Sequence, residues 1–146
     1  MNFTDNVMHE RLRAPEIAFH NTALYNVGGT GAYPPGNRGI MELTQRESDM
    51  GKFRTPSLRN VAAGGPFMHD GSVATLAEAI DHYAAGGRTI ASGPYAGVGA
   101  KSPLRDTQLA HFTLTPDEKR DLLAFLESLT DETFLHDPRF ADPFAK

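Results

Sequence analysis

The sequence predicts a mainly α-helical domain whose few helices are joined by long loops rich in glycine and proline. Two stretches of the 146-residue chain carry clear helix signals, one beginning near residue 75 and the other near residue 115. The chain also holds 14 Gly and 10 Pro, a composition typical of many turns. A chain of this length is expected to form one domain over residues 1–146.

Composition excludes several classes of function. The net charge is −4 and the basic residues are scattered, whereas a nucleic-acid surface needs a clustered positive face. No apolar run approaches the roughly 18 residues that span a bilayer. The first 14 residues are too polar for a secretory signal. Because the chain has no cysteine, it cannot hold a disulfide, a thiolate zinc site or a thiol nucleophile. We therefore expect no nucleic-acid partner, no membrane span and no signal peptide in this sequence.

Residues 1–52 are expected to be mostly loop. The stretch 27–39 (VGGTGAYPPGNRG) holds five Gly and two adjacent Pro, so its backbone is expected at the surface. A second glycine-rich loop is expected at 88–102. Neither stretch contains the Gly-Lys-Ser/Thr of a phosphate loop.

A short helical turn is predicted to begin at Thr55-Pro56, continue through Val61 and stop at the Gly-Gly-Pro of residues 64–66. Arg59 within it is either a solvated charge or a clamp for a carboxylate, which its planar guanidinium fits.

The segment FMHDG at 67–71 combines a thioether, an imidazole and a carboxylate. Taken alone, Met68 is more typical of a core residue than of a ligand. The pair His69-Asp70 is compatible with a supporting hydrogen-bonded pair, a turn or half of a metal site.

The first strong helix signal is a capping box, Thr75 with Glu78, and the helix is predicted to run from Leu76 to about Ala85 and to end at a Gly-Gly pair.

Helical spacing places Leu76, Ile80 and Tyr83 on one face. On spacing alone, Tyr83 is a core residue whose hydroxyl bonds to backbone, and His82 is exposed.

The second strong signal is Thr115-Pro116-Asp117-Glu118, with an N-cap Thr, a Pro at the first position and early acidic residues. A broad apolar stripe follows as far as Leu129 and should close the core. The tail 137–144 is expected to be extended.

Three segments, read in order, form a recognisable pattern: FHNTALYN, then DMGKFRTPSLRNVAAGGPFMHDGSVATLAEAIDHYAAGG, then LTPDEKRDLLAFLESLTDETFLHDPRFADP. The pattern closely resembles the C-terminal haem domain of bacterial di-haem cytochrome c peroxidases, most of all the MauG and MbnH branch. The resemblance covers nearly the whole chain and implies a cytochrome-c-like helical fold.

The resemblance also implies a function. Members of that family carry two cytochrome-c-like domains, each holding haem c through C-x-x-C-H. The first haem meets peroxide and the second stores or passes electrons. This chain would then belong to a periplasmic oxidoreductase that uses hydrogen peroxide to oxidise a partner. Its own partners would be an N-terminal haem domain and a protein substrate or electron-donor protein.

For the haem, the resemblance implies that Tyr83 is the distal ligand of the iron, with Met68 as the second candidate. A phenolate is a hard anionic donor that favours oxidised iron, whereas a thioether favours ferrous iron.

For calcium, the resemblance implies a site shared between the two domains, to which Gly64 and Pro66 contribute backbone carbonyls, the oxygen donors that calcium prefers. Arg59 and His69 would lie near the haem edge or the calcium.

The chain departs from the family pattern because it has no C-x-x-C-H, no counterpart of the peroxide-reacting domain, and Gly64 where the family usually has Thr. In the family this motif sits shortly before the stretch that matches Asn2-Phe3-Thr4-Asp5. We therefore expect the first haem-attaching helix and the proximal His to be missing, and the chain to be inactive alone.

Two alternatives remain at this point. The chain could be a haem-free remnant that acts as a binding or dimerising module. A metallohydrolase using His69-Asp70 with His20, His82 or His111 has weaker support, because no H-E-x-x-H motif is present.

Overall fold

The structure is a computed structural model that describes residues 19–141 and residue 144. Its elements in chain order are β1 (Phe19–Asn21), α1 (Met41–Thr44), β2 (Lys52–Arg54), α2 (Leu76–Ala84), β3 (Thr89–Ile90), β4 (Gly97–Val98), α3 (Pro116–Ser128) and α4 (Glu132–Leu135). Single 3₁₀ turns lie at Glu47–Asp49, Val61–Ala63, Gly99–Lys101 and Pro138–Phe140. The stretch from Asn2 to Asp5 lies outside the described residues.

The two longest helices stand where the sequence predicts them, and both begin with a complete capping box. In α2 the Thr75 hydroxyl accepts the Glu78 N–H at 3.2 Å, and the Glu78 carboxylate accepts the Thr75 N–H at 3.0 Å. Thr115 and Glu118 repeat this arrangement in α3. Local residue chemistry therefore fixes both helix starts.

The prediction of a mainly α fold is only partly right. The described residues include two small antiparallel sheets, one of β1 with β2 and one of β3 with β4. Their strands are two or three residues long, too short for an alternating pattern to appear in the sequence. The β3–β4 pair occupies the stretch predicted to be a plain glycine-rich loop.

The predicted helical turn from Thr55 to Val61 is wrong. Pairing of β2 with β1 keeps the backbone extended through Arg54, and only Val61–Ala63 forms a 3₁₀ turn. Asn60 before it adopts a left-handed conformation with φ of 56°, which a continuous helical turn would not allow.

The loop 27–39 does not lie wholly at the surface as predicted. Its Tyr33 is only 4% exposed, because polar side chains satisfy the buried backbone around it. The Asn26 amide oxygen accepts the Gly31 N–H at 2.8 Å. The Tyr33 hydroxyl accepts the Leu24 N–H at 3.1 Å and donates to the Asn21 amide oxygen at 2.8 Å.

His82 is also misplaced by helical spacing, because it is buried and only 7% exposed. Its Nε2 lies 2.8 Å from the Thr22 carbonyl oxygen, to which a ring N–H donates. This contact draws the loop after β1 onto α2. The tail likewise differs from the extended chain predicted, since Pro138–Phe140 forms a 3₁₀ turn.

The core is formed where the loop after β1 meets α2 and α3. Ala23 and Leu24 are fully buried, and Ala79 and Ile80 of α2 and Leu126 of α3 are nearly so. Helices α2 and α3 pack against each other. No helix among the described residues is long and apolar enough to cross a bilayer.

Candidate cofactor site

A cavity of 640 Å³ opens between α2, α3 and the segment that follows β2. The side chains that line it are predominantly apolar; they include Phe53, Leu58, Val61, Phe67, Leu76, Ile80, Phe112, Leu122 and Leu126. A volume of this order is typical of sites that hold a cofactor or another small molecule. The apolar lining favours a hydrophobic ligand over a free ion.

Tyr83 lines this cavity from the last turn of α2, one turn beyond Ala79 and Ile80. The side chain is 41% exposed, and its hydroxyl makes no hydrogen bond to any residue in the described part of the chain. The core tyrosine with a backbone-bonded hydroxyl that spacing predicts is therefore not what the structure shows. Burial among the surrounding apolar atoms raises the pKa of Tyr83, so the unliganded phenol is protonated at neutral pH.

The segment 67–73 folds into a tight turn at the cavity wall. Phe67 and Val73 pair across it, with the Phe67 N–H donating to the Val73 carbonyl at 2.7 Å. Met68 takes a left-handed conformation with φ of 67°, which is uncommon for a residue with a side chain. The turn brings Met68 and His69 to the cavity.

His69 is held by stacking on Phe53. The ring centroids are 3.6 Å apart and the ring planes lie 12° from parallel. The accompanying desolvation lowers the pKa of His69, and the neighbouring Asp70 carboxylate opposes this shift. His69 is therefore a largely neutral aromatic wall residue at neutral pH.

The carboxylate oxygens of Asp70 are occupied by hydrogen bonds within the protein and do not serve as free metal ligands. It accepts the Ser72 N–H at 3.0 Å and the Tyr25 hydroxyl at 2.7 Å, and the Arg88 guanidinium lies 3.9 Å away. Burial raises the pKa of Asp70, but the bonds from Ser72 and Tyr25 outweigh this effect and the net shift is downward. The carboxylate therefore stays ionised and secures the turn.

The sequence did not reveal the pairing of His20 with Asp106. The His20 Nδ1 lies 2.5 Å from an Asp106 carboxylate oxygen, and His20 also lines the cavity. The two residues are 86 positions apart, so no local signal could have joined them. A carboxylate bound to one ring nitrogen fixes the orientation of the imidazole.

The remaining predicted site residues divide into two groups. Gly64 and Pro66 lie at the cavity edge, both are exposed, and neither carbonyl oxygen accepts a hydrogen bond from a described residue. Arg59 is exposed, does not line the cavity, and its guanidinium has no partner within residues 19–141.

The described residues contain no group of three or more His, Cys, Asp or Glu side chains placed to hold a metal ion. In particular, His20, His82 and His111 do not join His69 and Asp70 in a common cluster. The metallohydrolase alternative therefore gains no support.

Comparisons with known proteins point in one direction. The chain is 40% identical over 102 residues to cytochrome-c peroxidase IdrP1 of Denitromonas iodatirespirans, covering 69% of this chain and 24% of that protein. It is 32% identical over 126 residues to the methylamine utilization protein MauG of Methylorubrum extorquens, covering 85% of this chain and 30% of that protein.

A solved structure is similar as well. It is described as a MauG-like protein associated with microbial copper homeostasis, and it matches with a TM-score of 0.86 and 56% identity. The match covers 94% of this chain and 39% of that one. No protein-family model matches the chain. The chain thus spans well under half the length of the relatives it matches.

Proposed function

Since the chain is related to the C-terminal part of the MauG-like di-haem cytochrome c peroxidases, we propose that it forms the distal wall of a haem pocket in an enzyme of this kind. The intact enzyme would use hydrogen peroxide to oxidise a partner. The single observation that carries the proposal is the apolar cavity of 640 Å³ with the Tyr83 hydroxyl at its wall, a hydroxyl that has no hydrogen-bond partner within residues 19–141.

The residues present fit a haem. An apolar, aromatic lining suits a porphyrin face, and an oxygen donor without a competing hydrogen bond suits a ferric ion. Haem would supply the redox chemistry, as an iron centre that stores and passes oxidising equivalents. Tyr83 would bind the iron as phenolate, releasing its proton on coordination. Met68 lines the same cavity and is the second candidate ligand.

His69 and His20 have supporting roles in this proposal. His69 would pack against the cofactor with Phe53, and its low pKa keeps an extra positive charge out of the pocket. His20, oriented by Asp106, would present its second ring nitrogen to the cavity. Arg59 lies at the surface, where its guanidinium would bind an acidic group of a partner.

Covalent attachment of haem would need cysteines from outside this sequence, because the chain contains none. We therefore propose that the 146-residue chain does not catalyse peroxide reduction by itself, and that an N-terminal haem domain in the periplasm completes the enzyme.

Calcium would bind at the exposed carbonyls of Gly64 and Pro66, which have no other partner among the described residues. Two carbonyls are too few for a cation that takes six to eight oxygen ligands, so the partner domain and water would supply the rest. Calcium, but not magnesium, should therefore raise the unfolding temperature only when that domain is present.

A haem-free binding or dimerising module is the second candidate. It is favoured by the exposed side chains of Phe134 and Phe140, whose ring centroids lie 4.7 Å apart, since contiguous apolar surface often marks an interface. It predicts association that depends on protein concentration and no binding of haem.

A haem titration separates the two candidates. Ferric haem is added to the chain with imidazole as an external second ligand, and the Soret band is followed. We expect saturable binding, weakened at least about tenfold by Tyr83→Phe, which corresponds to about 1.4 kcal/mol. Tyr95→Phe is the matched control and should bind as the wild type does. A wild-type chain without a protein-dependent Soret band would exclude the haem proposal.

A further inference from the structure

Three tyrosines form a continuous series of neighbouring rings from the protein surface towards the cavity. Tyr95 is 42% exposed, and its ring centroid lies 6.2 Å from that of Tyr25. Tyr25 lies 5.3 Å from the buried Tyr33. We refer to Tyr95, Tyr25 and Tyr33 as the tyrosine series.

The inner end of the tyrosine series reaches the cavity wall. The Tyr33 ring lies 6.3 Å from Phe53 and 6.1 Å from His69, and both of these residues line the cavity. Every step falls within the range of direct aromatic contact. No solvent gap therefore separates Tyr95 from the cofactor site.

The composition of the chain makes tyrosine its natural one-electron donor. The sequence has no Trp and no Cys, the other two side chains that are readily oxidised by one electron, and methionine reacts mainly by gaining oxygen. The chain has four Tyr. Three belong to the tyrosine series, and the fourth is Tyr83.

Oxidation of a phenol at neutral pH requires a base that accepts its proton, and Tyr25 and Tyr33 differ in this respect, while the Tyr95 hydroxyl has no hydrogen-bond partner among the described residues. Tyr25 donates to the Asp70 carboxylate at 2.7 Å. Tyr33 donates to the amide oxygen of Asn21, which is not a base, and burial raises the pKa of Tyr33 to about 12. Tyr25 is therefore the member best able to lose an electron and a proton together.

The Arg88 guanidinium reinforces this distinction. It lies 4.6 Å from the centroid of the Tyr25 ring, donates to the Ser72 hydroxyl at 2.6 Å and approaches Asp70. A positive charge at this distance opposes a ring radical cation, so electron loss from Tyr25 has to be accompanied by proton transfer to Asp70.

We propose that the tyrosine series carries one-electron oxidising equivalents between a haem in the cavity and an electron donor at Tyr95, with Tyr25 as the residue that holds the radical. This rests on the proposed function, in which the haem in the cavity holds oxidising equivalents that come from peroxide. Tyr25 loses one electron towards the oxidised haem, which is reduced by one electron. Its O–H bond breaks and a new O–H bond forms on Asp70. When a donor at Tyr95 returns an electron, the proton moves back and the phenol is restored.

A light-driven experiment tests the series without relying on haem. The chain carrying Tyr83→Phe retains only the tyrosine series. It is irradiated with a ruthenium polypyridyl photo-oxidant and a sacrificial electron acceptor, frozen, and measured by electron paramagnetic resonance. We expect a tyrosyl radical whose signal is lost on adding Tyr25→Phe and persists on adding Tyr33→Phe. Each substitution removes one hydroxyl and keeps the ring, and far-ultraviolet circular dichroism checks that the fold is intact.

Two further variants test the base and the surface end. Asp70→Asn should abolish the Tyr25 signal, because the amide cannot accept the proton, and Tyr95→Phe should slow its appearance. An unchanged signal in Tyr25→Phe or Asp70→Asn would overturn the assignment of the radical to Tyr25. An unchanged rate in Tyr95→Phe would overturn the assignment of the surface end.

The same light-driven experiment on the haem-loaded chain separates failure of this inference from failure of the proposed function. A chain that binds haem but forms a radical independent of Tyr25 would overturn the inference alone. A chain that shows the light-driven Tyr25 radical but binds no haem would overturn the proposed function and the inner end of the path.

Discussion

Replacing Asn21 by Ala should destabilise the protein more than any other single polar substitution near the cavity. Asn21 is almost fully buried and makes three hydrogen bonds. Its amide donates to the Met50 carbonyl at 2.8 Å, and its oxygen accepts the Ala23 N–H at 2.9 Å and the Tyr33 hydroxyl at 2.8 Å. One side chain thus joins β1, the segment before β2 and the loop that carries Tyr33.

The magnitude follows from these three bonds. Each contributes about 0.5–1.5 kcal/mol, and a buried partner left unsatisfied costs about 1–3 kcal/mol. The Tyr33 hydroxyl still accepts the Leu24 N–H in this variant, so it is not left without any hydrogen bond. We therefore expect Asn21→Ala to lower the free energy of unfolding by about 2–4 kcal/mol. For a chain of this size, that corresponds to a fall of roughly 5–15 °C in unfolding temperature.

Urea unfolding followed by circular dichroism measures this change. Asn37→Ala is the matched control, since the Asn37 side chain makes no hydrogen bond to a described residue. Its free energy of unfolding should stay within about 0.5 kcal/mol of that of the wild type. A loss below about 1 kcal/mol for Asn21→Ala would refute the reasoning that Asn21 organises this region.

Three further predictions concern the same region. Gly51→Ala should destabilise by more than about 1 kcal/mol because φ is +70° and the new Cβ would lie 2.2 Å from the Tyr33 ring. Gly36→Ala has a similar φ and open space around it, so its loss of unfolding free energy measures the backbone strain alone. An equal loss of unfolding free energy in Gly51→Ala and Gly36→Ala would contradict the clash with Tyr33. Burial lowers the pKa of His82; below the ordinary value of about 6.5 the unfolded chain binds more protons than the folded one, so stability should fall as the pH drops from 7 towards 5. His82→Gln should flatten that pH profile. Ala79→Phe should fill the cavity and suppress haem binding in the Soret titration, whereas Ala77→Phe, on the same helix but outside the lining, should preserve it.

Features encoded by neighbouring residues were predictable from the sequence. The starts of α2 and α3 depend on capping boxes within four residues, and both are found where predicted. The motif around Met68, His69 and Tyr83 also identified a stretch that does line one cavity. What it could not supply was the state of the Tyr83 hydroxyl, because that depends on which segments fold over α2.

Features that join distant segments were not predictable. The β1–β2 pairing, the bond between His20 and Asp106, and the bond between Tyr25 and Asp70 all connect residues that no local pattern links. The prediction that His82 is exposed is wrong for the same reason, since its partner Thr22 lies 60 positions away. Helical spacing identifies a face but does not reveal that a separate loop covers a neighbouring one.

The most direct test of the central claim is resonance Raman spectroscopy of the chain loaded with ferric haem and imidazole. The account predicts vibrational bands of an iron-bound phenolate in the wild type, their loss in Tyr83→Phe, and their retention in Tyr25→Phe. Identical spectra for wild type and Tyr83→Phe would contradict the assignment of Tyr83 to the iron.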